Sequence, residues 1–211
     1  MHCGLSNLDD LKRELLPSGL RSGRTFDAAI IAVGQGMAGI FDGRTNRLLA
    51  READATATWS ADRDHVYVPR YPIESVSRVE VSEDGSTWET VSGEPVLWDA
   101  TTGLVRFGGT VGGYDERVRV TWTGGYWFGA LEPDEEGYPE MIPTGATALP
   151  PELRSAFFLA CRAVWQALDK TGADVLRTGS SSQFVSGSLS GLELPPLVEQ
   201  TLLRYRRYVL S

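Results

Sequence analysis

Arg117-Val118-Arg119-Val120-Thr121-Trp122-Thr123 is the stretch whose reading decides the fold. Val118, Val120 and Trp122 fall on one face of a period-two segment and the arginines on the other. That is the pattern of a strand with one side on a core and one side in water. Gly124-Gly125 closes it. The same period holds upstream to about Ala55. Ala57-Thr58-Trp59-Ser60 is short and strand-like, and His65-Val66-Tyr67-Val68 alternates until Pro69 stops it. Val79-Glu80-Val81 and Trp88-Glu89-Thr90-Val91 flank Asp84-Gly85-Ser86, which predicts a hairpin. Leu104-Val105-Arg106-Phe107 predicts a further strand ending at Gly108-Gly109. Short strands separated by turns point to a small antiparallel sheet or sandwich.

The flanks change period. Leu8–Leu15 reads as a short helix, with Ser6 and Asp9 as acceptors for its free amides and Pro17 and Gly19 as its stop. Phe26, Ile30, Val33, Met37 and Ile40 recur at steps of four and three, predicting a helix over Phe26–Phe41 capped by Thr25 and ended by Asp42-Gly43. Gly34, Gly36 and Gly39 lie inside it, which implies either close packing against another backbone or a weak helix. After Pro150-Pro151, the residues Leu153, Phe157, Ala160, Cys161, Val164, Trp165 and Leu168 form a wide apolar stripe, the mark of a central core helix. Pro195-Pro196 opens a last helix through Leu197, Val198, Leu202, Leu203 and Tyr205. Arg204, Arg206 and Arg207 sit near its C-terminal end, where positive charge is favoured.

The expected fold class is therefore α+β. It is a small helical bundle, of N-terminal helices plus long C-terminal helices, with an inserted antiparallel β domain. The expected parts are an N-terminal helical part (1–50), the β insertion (51–128), an acidic loop (129–150), a core helix region (151–177), a flexible Ser/Gly-rich arm (178–194) and a C-terminal helix (195–211). Glu132, Asp134, Glu135, Glu136 and Glu140 crowd the acidic loop.

Composition narrows the function. A net charge of −8 repels phosphate, a poor start for sequence-specific nucleic-acid binding, though it suits a surface that DNA slides past and also favours solubility. No apolar run approaches the ~20 residues of a membrane span. Met1-His2-Cys3-Gly4 followed by polar residues does not read as a secretory signal or a myristoylation start, so synthesis in the cytoplasm is expected. Cys3 and Cys161 make a disulfide framework improbable.

Catalytic constellations fail one by one. His65 is the one internal histidine and lies on an alternating strand, where a surface role is expected rather than that of a catalytic base. Cys161 falls in an apolar stripe, where burial as a small hydrophobe is expected. No Cys-x-x-Cys or His-x-x-x-His pair offers a zinc site. Gly34-Gln35-Gly36-Met37-Ala38-Gly39 matches Gly-x-Gly-x-x-Gly only formally, since no strand precedes it and no parallel-sheet unit follows. The acids of 132–140 lack EF-hand spacing, and nothing singles out a carboxylate pair for glycoside hydrolysis. No catalytic residue, metal or cofactor is expected. Trp59, Trp88, Trp98, Trp122 and Trp127 gather in the β region, as core and hairpin packing or as a sugar-stacking platform.

Three passages together resemble the head–tail connector (adaptor) family of long-tailed phages. They are "LDDLKRELL" followed by "FDAAIIAVGQGMAGIFDGRTNRLL", then "VYVPRYPIESVSRVEVSEDGSTWETV", then "VRVTWTGGYWF" leading to "LPPELRSAFFLACRAVWQ". The β insertion is larger than in minimal members, and the 129–148 loop interrupts the usual short step from the Gly-Tyr turn to the proline. The resemblance implies a non-enzymatic virion subunit of the neck, assembled in the host cytoplasm. It implies a ring of twelve subunits beneath the portal protein, extending the DNA channel and receiving the stopper or tail-completion protein. DNA passes without sequence-specific binding, and no membrane is involved. It further implies that the C-terminal segment reaches the portal, with Phe184, Val185, Leu189, Leu192, Arg204, Arg206 and Arg207 as contacts. Glu132, Asp134, Glu135 and Glu136 are expected to face the channel or an adjacent ring. The alternatives are another neck or tail protein (a stopper or baseplate component), a carbohydrate-binding module, or a small hydrolase. The long helix argues against the mostly β stopper and baseplate proteins.

Overall fold

Asn7, not Ser6, caps the first helix. The structure, a computed structural model, describes residues 3–91, 96–128, 142–171 and 193–207. Helix α1 spans Leu8–Leu15, and Asn7, held extended, accepts a hydrogen bond from the Asp10 amide at 2.8 Å. Asp9 and Asp10 in its first turn and Lys12 and Arg13 in its last complement the helix dipole.

Helix α2 runs Asp27–Thr45, one turn past its expected end. Asp42-Gly43 does not stop it. Asn46, at φ 52°, adopts the left-handed conformation that terminates it, and its amide returns to Asp42 and Gly43 carbonyls. Thr25 does not cap its start. The position before the first helical residue is Phe26, without a side-chain bond. Ala29, Ile30, Val33, Gly34, Met37 and Phe41 are buried, so the apolar stripe is real but rotates onto Phe41, while Ile40 is half-buried. Phe41 meets Phe157 edge-on at 5.6 Å.

The in-helix glycines divide between the two readings. A Cβ on Gly34 would stand 2.5 Å from the Cys3 carbonyl oxygen and 2.9 Å from a Leu11 methyl, so this one permits a close backbone approach. Gly39 is exposed with nothing near it. Gly34→Ala should therefore destabilise by about 1–3 kcal/mol through overpacking. Gly39→Ala should stabilise by about 1 kcal/mol through helix propensity. Thermal unfolding of the two variants checks both signs.

Helix α3 spans Pro151–Thr171 and α4 spans Pro196–Tyr205. Leu153, Phe157, Ala160, Cys161, Val164, Trp165 and Leu168 are all buried, as their spacing predicts. Helices α1, α3 and α4 each pack on α2, and α3 also meets α1 and α4. Arg154 pairs with Asp10 at 2.6 Å, Arg162 with Glu14, and Arg44 with Glu199 at 3.5 Å. These partly exposed pairs align the helices more than they stabilise them. The helices belong to one unit, made of Met1–Arg47, Phe128–Ile142 and Ala148–Ser211.

The second unit, Leu48–Trp127 with Pro143–Thr147, carries the strands. They include β1 (Glu52–Ser60), β2 (Arg63–Tyr67), β3 (Ile73–Ser82), β4 (Glu89–Thr90), β5 (Leu97–Asp99), β6 (Leu104–Val111), β7 (Arg117–Gly124) and β8 (Tyr126–Trp127). Two antiparallel sheets have the orders β1-β7-β3-β4 and β2-β6-β5. In β7 buried and half-buried or exposed residues alternate without a break. Val118 stands opposite Trp59 and Val81, Val120 opposite Ala57 and Val79, and Trp122 opposite Ala55 and Val76. One core joins these residues to Val66, Val105, Phe107 and Val111 of the other sheet. The molecule is thus mixed helix and antiparallel sheet, as α+β requires.

The β3–β4 hairpin pairs Glu80 with Thr90 and Val81 with Glu89. Its turn is organised by Asp84, whose carboxylate accepts from the Ser86 hydroxyl at 2.6 Å and from the Ser86 and Thr87 amides at 2.8 and 2.7 Å. These bonds hold the Asp84 carboxyl well below the usual carboxylate range. Strand β6 does not end at Gly108-Gly109 but continues to Val111, which pairs with Arg63 across a register shift. Gly108 and Gly109 fall inside that shift, where glycine suits a bulge, and pairing resumes beyond them. Gly125, at φ 97°, ends β7 where a Cβ would stand 2.5 Å from the Ala50 oxygen, a place only glycine fits.

Candidate interaction surfaces

The residues that chemistry would need are held by structure instead. His65 is exposed on β2, its Nδ1 2.6 Å from Asp64. Cys161 is fully buried in α3, and burial, with buried Cys3 adding to it, pushes its thiol well above the ordinary range. Gly34, Gly36 and Gly39 lie within α2, not in a loop after a strand. Among the described residues no group of three His, Cys, Asp or Glu side chains is placed to hold a metal ion. No helix among them is long and apolar enough to cross a membrane.

The tryptophans do not build a platform. Trp122 is buried with Trp59 packed at 6.5 Å and tilted, and Trp88 lies under the Arg119 guanidinium at 4.1 Å. Trp98 is the tryptophan most open to solvent among those described.

Two surfaces remain. The first is the outer side of α4. Val198, Thr201 and Leu202 face inward, and the Thr201 hydroxyl donates to the Leu197 carbonyl at 2.9 Å. The Tyr205 hydroxyl donates to Glu152 at 2.6 Å. That bond, with the Arg204 charge adding to it, lowers the Glu152 carboxyl below its ordinary value. The outward side carries Leu197 at 64% exposure and Leu203 at 51%, with Arg204 and Arg206 also exposed. Arg207 is half-buried, and its amide donates to the Thr45 carbonyl at 2.8 Å. The helix carries apolar residues on both sides, Val198 and Leu202 inward and Leu197 and Leu203 outward, and its sequence alone does not say which side meets the protein. Phe184, Val185, Leu189 and Leu192, and Glu132, Asp134, Glu135 and Glu136, lie outside the described residues.

The second surface is the outer face of the β2-β6-β5 sheet. The register sets His65, Arg106 and Leu97 in one row and Tyr67, Leu104 and Asp99 in the next. Val66 and Val105 between these rows are buried on the opposite face. Tyr67 and Leu97 are exposed and Leu104 is half-buried. Two shallow hollows flank Leu104 and Arg106, one bounded by His65 and Tyr67 and the other by Leu97, Trp98 and Asp99. The strand pattern does not reveal this face. Leu104 and Val105 are adjacent apolar residues, and only the pairing shows which one turns outward.

No family model and no curated protein matches the chain. Solved structures do share its fold. One is a chain in the virion of a native gene transfer agent particle, 17% identical at a TM-score of 0.62, with 97% of this chain and 90% of that one covered. Another belongs to the neck of an empty gene transfer agent particle computed with C6 symmetry, 17% identical at 0.62, with 100% and 95% covered. A third belongs to the neck of a native particle computed with C12 symmetry, 16% identical at 0.55, with 97% and 90% covered. The chain therefore has the fold of proteins found in the neck of gene transfer agent particles, over nearly the full length of both chains.

Proposed function

We propose that the chain is a head–tail connector subunit: one copy of a ring beneath the portal of a phage or phage-like particle, extending the DNA channel and receiving the stopper or tail-completion protein. The carrying observation is the fold likeness over nearly the whole chain to proteins of necks described with sixfold and twelvefold symmetry. A ring of twelve copies in the virion neck follows from that reading. The net charge of −8 fits a channel that DNA passes without adhering. In this proposal the portal contact is made by Leu197 and Leu203 of α4 with Arg204, Arg206 and Arg207, and by the preceding segment with Phe184, Val185, Leu189 and Leu192. Exposed leucines beside arginines suit a partner groove that is apolar with an acidic rim. Glu132, Asp134, Glu135 and Glu136 are assigned to the channel or to an adjacent ring.

Light scattering of the purified chain, alone and mixed with candidate portal rings, tests the proposal. The expected result is a portal-bound species heavier than the portal by several copies of the chain. Leu197→Asp with Leu203→Asp should weaken that binding at least about tenfold, since a buried apolar anchor is worth more than ~1 kcal/mol. The same pair should change thermal stability little, both side chains being exposed. A chain that joins no portal overturns the reading.

A further inference from the structure

We infer that the outer face of the β2-β6-β5 sheet is the surface on which one subunit holds the next, and that it receives the acidic end of the β3–β4 hairpin of a second copy. The inference deepens the connector reading, on which the ring itself rests.

The face has the composition of a binding surface. Tyr67, Leu97 and Leu104 surround Arg106, and aromatic and arginine side chains are enriched where a contact is desolvated. Arg106 is exposed at its centre and forms no ion pair among the described residues. Asp64 lies within reach of its charge, but the neighbouring acids are each also engaged locally. Asp64 lies 2.6 Å from His65, and Asp99 accepts from the Thr101 amide and hydroxyl at 2.8 and 2.7 Å. The face thus offers a cation in an apolar frame.

The complement lies on the same unit, at the hairpin end of the other sheet. A hollow there is bordered by Glu83, Glu89 and Glu116, with Val81 as its apolar wall. Asp84 is spent on its own turn, and Glu116 accepts from the Gly113 amide at 2.7 Å. Glu83 and Glu89 are exposed and without an ion pair among the described residues, so they are the acceptors left for an incoming guanidinium. The two surfaces are different patches of one chain. A contact between them is head-to-tail, and its repetition closes a ring when the rotation allows. An isologous dimer would instead set Arg106 beside Arg106, which the charge opposes.

Cysteine pairing tests the contact. The variant carrying Leu97→Cys and Glu89→Cys is oxidised at high protein concentration, alone and with the portal ring, and run under denaturing, non-reducing conditions. The native cysteines are buried in the folded chain, and free thiols are alkylated before denaturation so that they cannot exchange. The expected result is a ladder of covalent multimers, absent from either single variant. Dimers from Leu97→Cys alone, or no ladder, overturn the inference. A second arm reverses charge. Arg106→Glu should lower ring occupancy at least about tenfold, and adding Glu83→Arg and Glu89→Arg should restore it. Loss without restoration counts against the pairing. A chain that binds a portal but gives no ladder sinks this contact alone. A ladder without portal binding sinks the connector reading and leaves the contact standing.

Discussion

Trp122→Ala lowers the stability of the strand-bearing unit by about 3–5 kcal/mol, the range for removing a large buried aromatic. Trp122 is 1% exposed at the middle of the central strand β7, between Ala55 on β1 and Val76 on β3. Its neighbours across the sheet cannot fill the space: Ala55 is small, and Trp59 already packs at 6.5 Å. The indole also donates from Nε1 to the Arg70 carbonyl at 2.8 Å, so truncation leaves that carbonyl without its partner. Urea unfolding, with amide exchange of β1, β3 and β7 as the local readout, measures the loss. Trp122→Phe separates the two parts, because it keeps most of the volume and drops the hydrogen bond. It should recover the larger share. An alanine variant within ~1 kcal/mol of the parent would mean that β7 is not the centre of this core.

Glu80→Ala costs about 3 kcal/mol, the lower end of what breaking a buried ion pair costs. Glu80 is a buried carboxylate on β3, opposite Arg119 on β7. The Arg119 Nε and Nη2 reach Glu80 Oε2 at 2.9 and 2.8 Å, Arg78 stands 3.7 Å from Oε1, and the Trp88 ring covers the guanidinium. Removing the carboxylate leaves Arg119 partly desolvated and unpaired. Because Arg119 keeps about a third of its side chain in water, the cost stays at the low end. Replacing both residues by valine should recover most of the loss, since a matched apolar pair on a strand carries no unpaired charge. Equilibrium unfolding of the single and double variants, read as a double-mutant cycle, decides it. Equal destabilisation by both would show that the pair itself, not the orphaned charge, holds the hairpin. Either variant is also informative for assembly, because β4 and its turn carry Glu83 and Glu89.

Much of this architecture was legible in particular residues. The stripe from Leu153 to Leu168 placed α3 with its buried side correct at every position named. The alternation in β7 and the Asp84-Gly85-Ser86 turn located a central strand and a hairpin with the right partners. The errors cluster where a local rule met a neighbour. Asp42-Gly43 and Gly108-Gly109 carried stop signals that were overridden, one by a helix continuing to Asn46 and the other by pairing to β2. Ser6 looked like a cap, but Asn7 had the extended backbone a cap needs.

The sequence alone determined where the chain changes period, which segments are helix or strand, and which faces carry the bulk of the apolar residues, because those properties are set within a few residues of chain. Only the tertiary structure decided that Leu197 and Leu203 face outward, and that Tyr67, Leu97, Leu104 and Arg106 share one exposed face while Glu83 and Glu89 border another. Those placements depend on strand register and on which side of each element finds a neighbour, and neither is written in the spacing of one segment.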